Sequence, residues 1–258
     1  MNAPLNPSLA SDNAGLFNKV PQVTFFFWLI KIMATTVGET AADFLNFNLH
    51  LGLTKTSLIM GVLLLISLVI QVLSKKYMPW KYWLAVVLIS VFGTLVTDNL
   101  VDNYGVALKT TTILFAVALI ASFAAWYASE KTLSIHTIYT KKRELFYWLV
   151  ILFTFALGTA AGDLVAEGMR LGYATSAFVF AAAIALVALA YYAFKFNAVT
   201  AFWFAYVLTR PFGASCGDFL SQPSKYGGLG LGTTLTSLVF LVIIVGLITY
   251  FTLSKTDD

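Results

Sequence analysis

Four times along this chain a Trp is followed ten residues later by Gly and fifteen residues later by Asp. Trp28, Gly38 and Asp43 form the first set, and Trp83, Gly93 and Asp98 the second. Trp148, Gly158 and Asp163 form the third, and Trp203, Gly213 and Asp218 the fourth. The residue before each Asp is small (Ala42, Thr97, Gly162, Gly217), and an aliphatic residue stands two positions after it (Leu45, Leu100, Val165, Leu220). The pattern holds without a gap and uses four of the six Trp residues, so coincidence is a poor explanation. Such self-similarity is the mark of a repeated fold. The first and third sets are offset by 120 residues, as are the second and fourth, which argues for a tandem duplication.

The repeat sits in a strongly apolar chain. Of 258 residues, 59% are hydrophobic and only 11% charged, against roughly 25% charged in a soluble domain, and the mean hydropathy is +0.84. Apolar runs approach or reach the ~20 residues a helix needs to cross a bilayer. The fold expected is all-α and polytopic, with eight transmembrane helices at about 23–46, 55–74, 79–101, 107–129, 144–167, 173–195, 197–220 and 231–254. Each repeat is then a two-helix hairpin, and two hairpins make each half, 23–138 and 139–258. Both halves hold an even number of spans, so they are parallel repeats. Hydroxyl-rich stretches at Thr54–Ser57, Lys109–Thr112, Ala174–Ser176 and Thr233–Ser237 open the even helices and read as N-caps.

Positive charge collects on one side. Lys75, Lys76, Lys81, Lys131, Lys141, Lys142, Arg143 and Lys195 lie in even-to-odd connections, with Lys19 and Lys255 in the tails. The opposite side has Lys55, Lys109, Arg170 and Lys225, one per hairpin. Positively charged loops stay in the cytoplasm, which puts both termini there and points to an inner (plasma) membrane. Residues 1–22 are polar, lack the basic start and apolar core of a signal peptide, and read as a cytoplasmic tail. No basic stripe with interleaved aromatics suggests nucleic-acid binding. The single Cys216 precludes an internal disulfide.

The fourfold Trp-x9-Gly-x4-Asp pattern resembles a bacterial family of integral membrane proteins built from four tandem two-helix repeats with a characteristic Trp. That family, often labelled "membrane-anchored protein", has no settled activity. The resemblance runs from Trp28 to the last span and implies the fold, not the chemistry.

Seven of the twelve acids lie at the outer ends of odd helices: Glu39, Asp43, Asp98, Asp102, Asp163, Glu167 and Asp218. Spacing of four puts Glu39 with Asp43, Asp98 with Asp102, and Asp163 with Glu167 on shared helix faces. Like charges so close repel unless a proton or cation lies between them. At 1.5 Å per residue, Trp and Asp are separated by roughly 22 Å, so a Trp at the inner interface belt places the Asp near the outer edge of the core. One reading is that each Asp borders a helix end and faces water. The other is that hairpins packed about a centre bring Asp43, Asp98, Asp163 and Asp218 into one outward cavity, because intramembrane carboxylates are costly and usually functional. The Trp residues read as belt anchors or packing wedges. The Gly residues permit either a helix break or a close helix contact.

Lys31 and Arg210 add positive charge inside spans, Arg210 directly before Pro211. Each is expected to act as a counter-charge to a carboxylate of another repeat, or, for Lys31, to snorkel. Glu39 and Lys31 are peculiar to the first repeat. His50 and His136 fall on opposite sides, and no thiol-rich metal cluster is present. Thr36, Thr40, Thr97, Thr159 and Ser215 are candidate hydroxyl ligands. Oxygen donors suit hard divalent cations such as Mn²⁺ or Mg²⁺, with the four Asp as the metal ligands. The function expected is a cation transporter exchanging protons at the same acids, alone or as a homo-oligomer, with no resident cofactor. The alternatives are a metal-dependent membrane enzyme, for which no nucleophile motif, H-E-x-x-H or phosphate loop is found, and a non-catalytic sensor or assembly partner.

Overall fold

The computed structural model describes residues 18–254 of the chain. These form eight long helices and no strand: α1 Phe25–Asp43, α2 Leu53–Leu73, α3 Pro79–Asp98, α4 Leu108–Glu130, α5 Lys141–Asp163, α6 Tyr173–Phe194, α7 Ala198–Ser221 and α8 Thr233–Ser254. A helix satisfies its own backbone, the requirement for any segment in hydrocarbon. Local signals set the ends. Thr24, Thr140 and Asn197 cap α1, α5 and α7 through side-chain oxygens. Pro79 stands in the first turn of α3, where a missing N–H costs nothing. Lys131 and Lys195, both left-handed, close α4 and α6. Seven helices are long and apolar enough to cross a membrane. α7 falls short because it carries Arg210, Asp218 and a run of small polar residues.

The odd helices make an inner ring. α1 packs on α3, α3 on α5, α5 on α7, and α7 back on α1. The even helices lie outside, each seated mainly on the odd helix of the next repeat: α2 on α3, α4 on α5, α6 on α7 and α8 on α1. Sequence neighbours within a repeat are joined by a short connection at the Asp end, but the packing partner is shifted by one unit. The last helix closes the ring on the first, with a few contacts to α3 and α7.

Aromatic residues repeat this closure. The ring before each repeat Trp meets the Trp of the following repeat: Phe27 with Trp83 at 5.7 Å, Tyr82 with Trp148 at 5.5 Å, Tyr147 with Trp203 at 6.2 Å, and Phe202 with Trp28 at 5.6 Å between centroids. Trp83, Trp148 and Trp203 are buried. Of the two roles open to the repeated Trp, packing is the one these three hold, and Trp203 also donates from Nε1 to the Leu133 carbonyl at 2.9 Å.

The repeated Gly has an equally regular role. A Cβ on Gly38 would stand 1.8 Å from Ser90 Oγ, one on Gly93 2.8 Å from Phe155 Cβ, one on Gly158 2.2 Å from Arg210 Cγ, and one on Gly213 1.8 Å from Thr35 Oγ1. Ser90, Phe155, Arg210 and Thr35 occupy the same place in successive repeats, seven residues after the Trp. The Gly therefore lets each odd helix touch the next, as small residues do in membrane bundles. The helices run unbroken through it, so the helix-break reading does not hold.

The hydroxyl-rich starts of the even helices differ from expectation. Gly52, Ala107 and Gly172 occupy the N-caps of α2, α4 and α6, with no side-chain cap bond. The hydroxyls instead donate backwards along the helix or across to the next repeat. Thr112 donates to the Ala160 carbonyl at 3.1 Å, Ser176 and Ser215 share a bond of 2.8 Å, and Ser237 donates to Thr40 at 2.8 Å. Ser57 accepts from Asn99 Nδ2 at 2.6 Å. These bonds fix the register of each outer helix on its inner partner.

Of the polar tail expected over 1–22, residues 1–17 lie outside the described residues, as does Lys255. Lys19 is buried. Its Nζ donates to Glu144 at 2.7 Å and to the Val72 carbonyl at 2.9 Å, fastening the segment before α1 to α2 and α5.

Candidate functional site

Because the odd helices share one direction, equivalent positions form layers across the ring. The layer nearest the Trp residues is aromatic: Tyr82 and Tyr147 are hydrogen-bonded through their hydroxyls, and Tyr206 packs against Trp203 at 5.7 Å. All three tyrosines are wholly buried.

Two basic side chains, Lys31 and Arg210, lie beyond this layer. Lys31 Nζ donates to the Tyr206 carbonyl at 2.8 Å and to the Thr209 hydroxyl, and faces the Tyr206 ring at 4.4 Å. It is wholly buried, so it does not snorkel, and it forms no ion pair with any described carboxylate. The expectation that Lys31 serves as a counter-charge is thus corrected. It reaches α7 through backbone and hydroxyl oxygens because the Glu39 carboxylate is engaged by another cation. That cation is Arg210, also wholly buried, whose Nη2 donates to Glu39 Oε2 at 3.1 Å, to Thr159 at 2.6 Å and to the Thr94 hydroxyl. Its Nη1 reaches the Thr35 carbonyl at 3.5 Å. Arg210 does pair with a carboxylate of another repeat. Glu39, Thr94 and Thr159 occupy one repeat position, so the guanidinium spans the ring there.

Above Arg210 the ring opens into a cavity of about 640 Å³. Glu39, Asp43, Asp98, Asp102, Asp163, Glu167 and Asp218 all line it. Single carboxylate oxygens of Glu39, Asp163 and Asp218 lie within 4.8 Å of one another. Two unit charges at 4.8 Å repel by about 3.5 kcal/mol at an effective dielectric near 20. A hard cation with oxygen ligands at roughly 2.0–2.6 Å relieves that repulsion and brings its ligand atoms to within about 5 Å of one another. The donor set and spacing fit such an ion. Asp43 and Asp98 line the wall outside this group of three, and Asp43 accepts from Gln222 Nε2 at 3.0 Å.

The helix widens immediately beyond three of the Asp residues. Phe44–Asn48, Asn99–Asn103 and Leu164–Gly168 are π-helical turns. Leu49, Tyr104 and Met169 N–H bond the carbonyls five residues back, at 3.1, 3.0 and 2.8 Å. Such turns are frequent at functional sites. Here they fall at equivalent positions around the cavity mouth.

Sequence reasoning missed Arg170, Tyr173, Gln222 and Asn46, which also line the cavity. Tyr173 donates to Glu167 Oε1 at 2.8 Å. One signal was present: Asp102, Glu167 and Gln222 stand at the same place one turn beyond the Asp, so extending the repeat by four residues reaches Gln222. In contrast, none of Thr36, Thr40, Thr97, Thr159 and Ser215 lines the cavity. Thr36 and Thr40 donate to the Ile32 and Thr36 carbonyls, Thr97 to the Gly93 and Ala156 carbonyls, Thr159 holds Arg210, and Ser215 bonds Ser176.

No curated protein and no solved structure matches the chain. A family model described as a repeat of unknown function, DUF347, matches it four times, at residues 26–77, 81–132, 146–197 and 201–257. Each match spans one odd helix and the even helix that follows, the unit first visible in the spacing of Trp, Gly and Asp, and the chain belongs to the DUF347 repeat family.

Proposed function

We propose that this protein is an integral membrane transporter of a small cation, with a divalent metal such as Mn²⁺ or Mg²⁺ as cargo and protons exchanging at the same acids. The observation that carries the reading is the convergence of seven carboxylates from four helices on one cavity, three of them within 4.8 Å. Intramembrane acids are costly and are kept for such work.

In this reading all eight helices cross the membrane of a bacterial cell. α7 is polar for a span, but it lies against α1, α5, α6 and α8, so its polar side chains need not meet lipid. The connections at the aromatic end carry most of the Lys and Arg, which favours that end, and both termini, in the cytoplasm. The acid cavity then faces outward. The odd helices of one chain close the ring, which supports a site built within a single copy.

The test is metal accumulation in cells with and without the gene, followed by Asp43, Asp98, Asp163 and Asp218 each changed to Asn and combined. Loss of the gene-dependent change in Mn²⁺ or Mg²⁺ content is expected. Unaltered transport after all four neutralisations would falsify the shared site.

A further inference from the structure

Glu39 belongs to two constellations. On one side it accepts from Arg210 Nη2 at 3.1 Å. On the other it is one of the three carboxylates that lie within 4.8 Å at the cavity floor. Arg210 is held by Glu39, Thr94, Thr159 and the Thr35 carbonyl, so its charge sits directly beneath the group that would take a metal. Asp218 supplies a separate sign that the group awaits a ligand. It is 93% buried (7% exposed), lines the cavity, and its carboxylate has no hydrogen bond or ion pair among the described residues. Its carboxylate faces the cavity with no group of the described residues bonded to it, so it is open to a ligand there.

We propose that Arg210 is a tethered competitor for the cation site, a built-in positive charge that an incoming ion must displace from Glu39, and that it selects divalent over monovalent cations. The inference rests on the cation-site reading above and names what sets its selectivity. Exchanging the guanidinium for a monovalent ion at Glu39 leaves the positive charge facing the three carboxylates unchanged. Exchanging it for a divalent ion adds one charge, so only the divalent ion gains in Coulomb energy. The competitor and the carboxylate it occupies come from the fourth and first repeats, and their sister positions hold Thr35, Ser90 and Phe155, or Thr94, Thr159 and Ala214.

The test uses the purified full chain in mild detergent, with Mn²⁺ alone as the probe and free Mn²⁺ read by electron paramagnetic resonance. Titrations are compared in NaCl and in N-methylglucamine chloride of equal ionic strength, which separates Na⁺ competition from screening. For the wild type, Na⁺ should displace Mn²⁺ little beyond the bulky salt. Arg210→Gln should bind Mn²⁺ about tenfold tighter in the bulky salt, the factor that ~1.4 kcal/mol of charge-assisted bonding to Glu39 represents, and should lose that gain in NaCl. Arg210→Lys keeps the charge and should stay near the wild type. Thr94→Val removes one tether and should tighten Mn²⁺ binding in the same direction by about threefold, the factor for ~0.6 kcal/mol, which keeps the test open if Arg210→Gln does not fold. Unchanged Mn²⁺ affinity and Na⁺ sensitivity in Arg210→Gln, or in Thr94→Val where that variant alone folds, overturns the competitor. The cation site then stands if Asp163→Asn with Asp218→Asn abolishes binding. Mn²⁺ binding that survives that pair, or no binding in any variant, sinks both the site and the competitor.

Discussion

The contact between α3 and α5 and the contact between α7 and α1 are built on one frame. In each, a Gly of one helix meets the side chain seven residues after the Trp of the next: Gly93 meets Phe155, and Gly213 meets Thr35. In each, the residue before one Trp packs on the following Trp. The contents differ. The α3–α5 contact holds a bond between the Tyr82 and Tyr147 hydroxyls, the Thr94–Thr159 pair at 3.4 Å, and Thr97 bonded to the Ala156 carbonyl at 3.0 Å. The α7–α1 contact holds Lys31, Glu39 and Arg210, all buried. It is also the seam where the last odd helix meets the first. The frame and its Asp are repeated four times, whereas Lys31, Glu39 and Arg210 are placed once, so the repeat makes the cavity and the seam makes it asymmetric.

The strongest way to break the comparison is to remove charge from the seam. Glu39→Ala leaves the buried Arg210 without its ion-pair partner. Uncoupling one member of a buried pair costs about 3–5 kcal/mol, and the melting temperature in detergent should fall by several degrees. Glu39→Gln combined with Arg210→Gln should recover most of that loss, because removing both charges also removes the desolvation cost. A double variant as unstable as Glu39→Ala would show that the pair holds the ring by geometry and not by charge balance.

The shared frame is tested by Gly93→Ala and Gly213→Ala. Each new Cβ would meet atoms at 2.8 Å or less, so one helix must shift. Such overpacking costs about 1–3 kcal/mol, partly offset by the higher helix propensity of Ala, ~1 kcal/mol. Gly246→Ala in α8 is the control. Nothing lies within 4 Å of its Cβ, so only the propensity gain remains and stability should rise slightly. Equal behaviour of all three variants in thermal unfolding would refute close helix approach as the reason for the repeated Gly.

The helices and the repeat were legible because both are periodic, and apolar length and a fixed Trp–Gly–Asp spacing survive without tertiary information. The gathering of acids at one end also followed, since equal spacing on parallel helices places equal residues at equal depth. The packing partner was not legible. The spacing of Gly38 is the same whether it meets its own repeat or Ser90 of the next, and only the closed ring decides between them. Lys31 was misjudged for a related reason. Its sequence shows a buried charge in need of a partner, but not that Arg210 holds the Glu39 carboxylate, which leaves Lys31 to the Tyr206 carbonyl and Thr209. The π-helical turns beyond Asp43, Asp98 and Asp163 have no composition of their own. Phe44–Asn48, Asn99–Asn103 and Leu164–Gly168 share little beyond their position in the repeat.

The smallest effect expected sharpens the difference at one repeat position. Thr97 stands just before Asp98, and its sister in the seam is Gly217. A Cβ on Gly217 would stand 3.2 Å from Glu39 Cβ and from the Thr36 carbonyl, so the seam is too close there for a Thr side chain. At the α3–α5 contact there is room, and the Thr97 hydroxyl donates to the Ala156 carbonyl at 3.0 Å. Thr97→Val keeps the shape and removes that bond. The Ala156 carbonyl lies inside α5, where the N–H four residues on donates to it, so no buried acceptor is orphaned. The loss should then be about 0.5–1.5 kcal/mol, a shift of a few degrees at most. Mn²⁺ binding should not change, because Thr97 touches neither Arg210 nor the cavity wall. If Thr97→Val weakened Mn²⁺ binding as strongly as changes at Glu39, the α3–α5 contact would act on the site beyond the Thr94 and Thr159 hydroxyls that hold Arg210, and the division between a repeated frame and a single charged seam would fail.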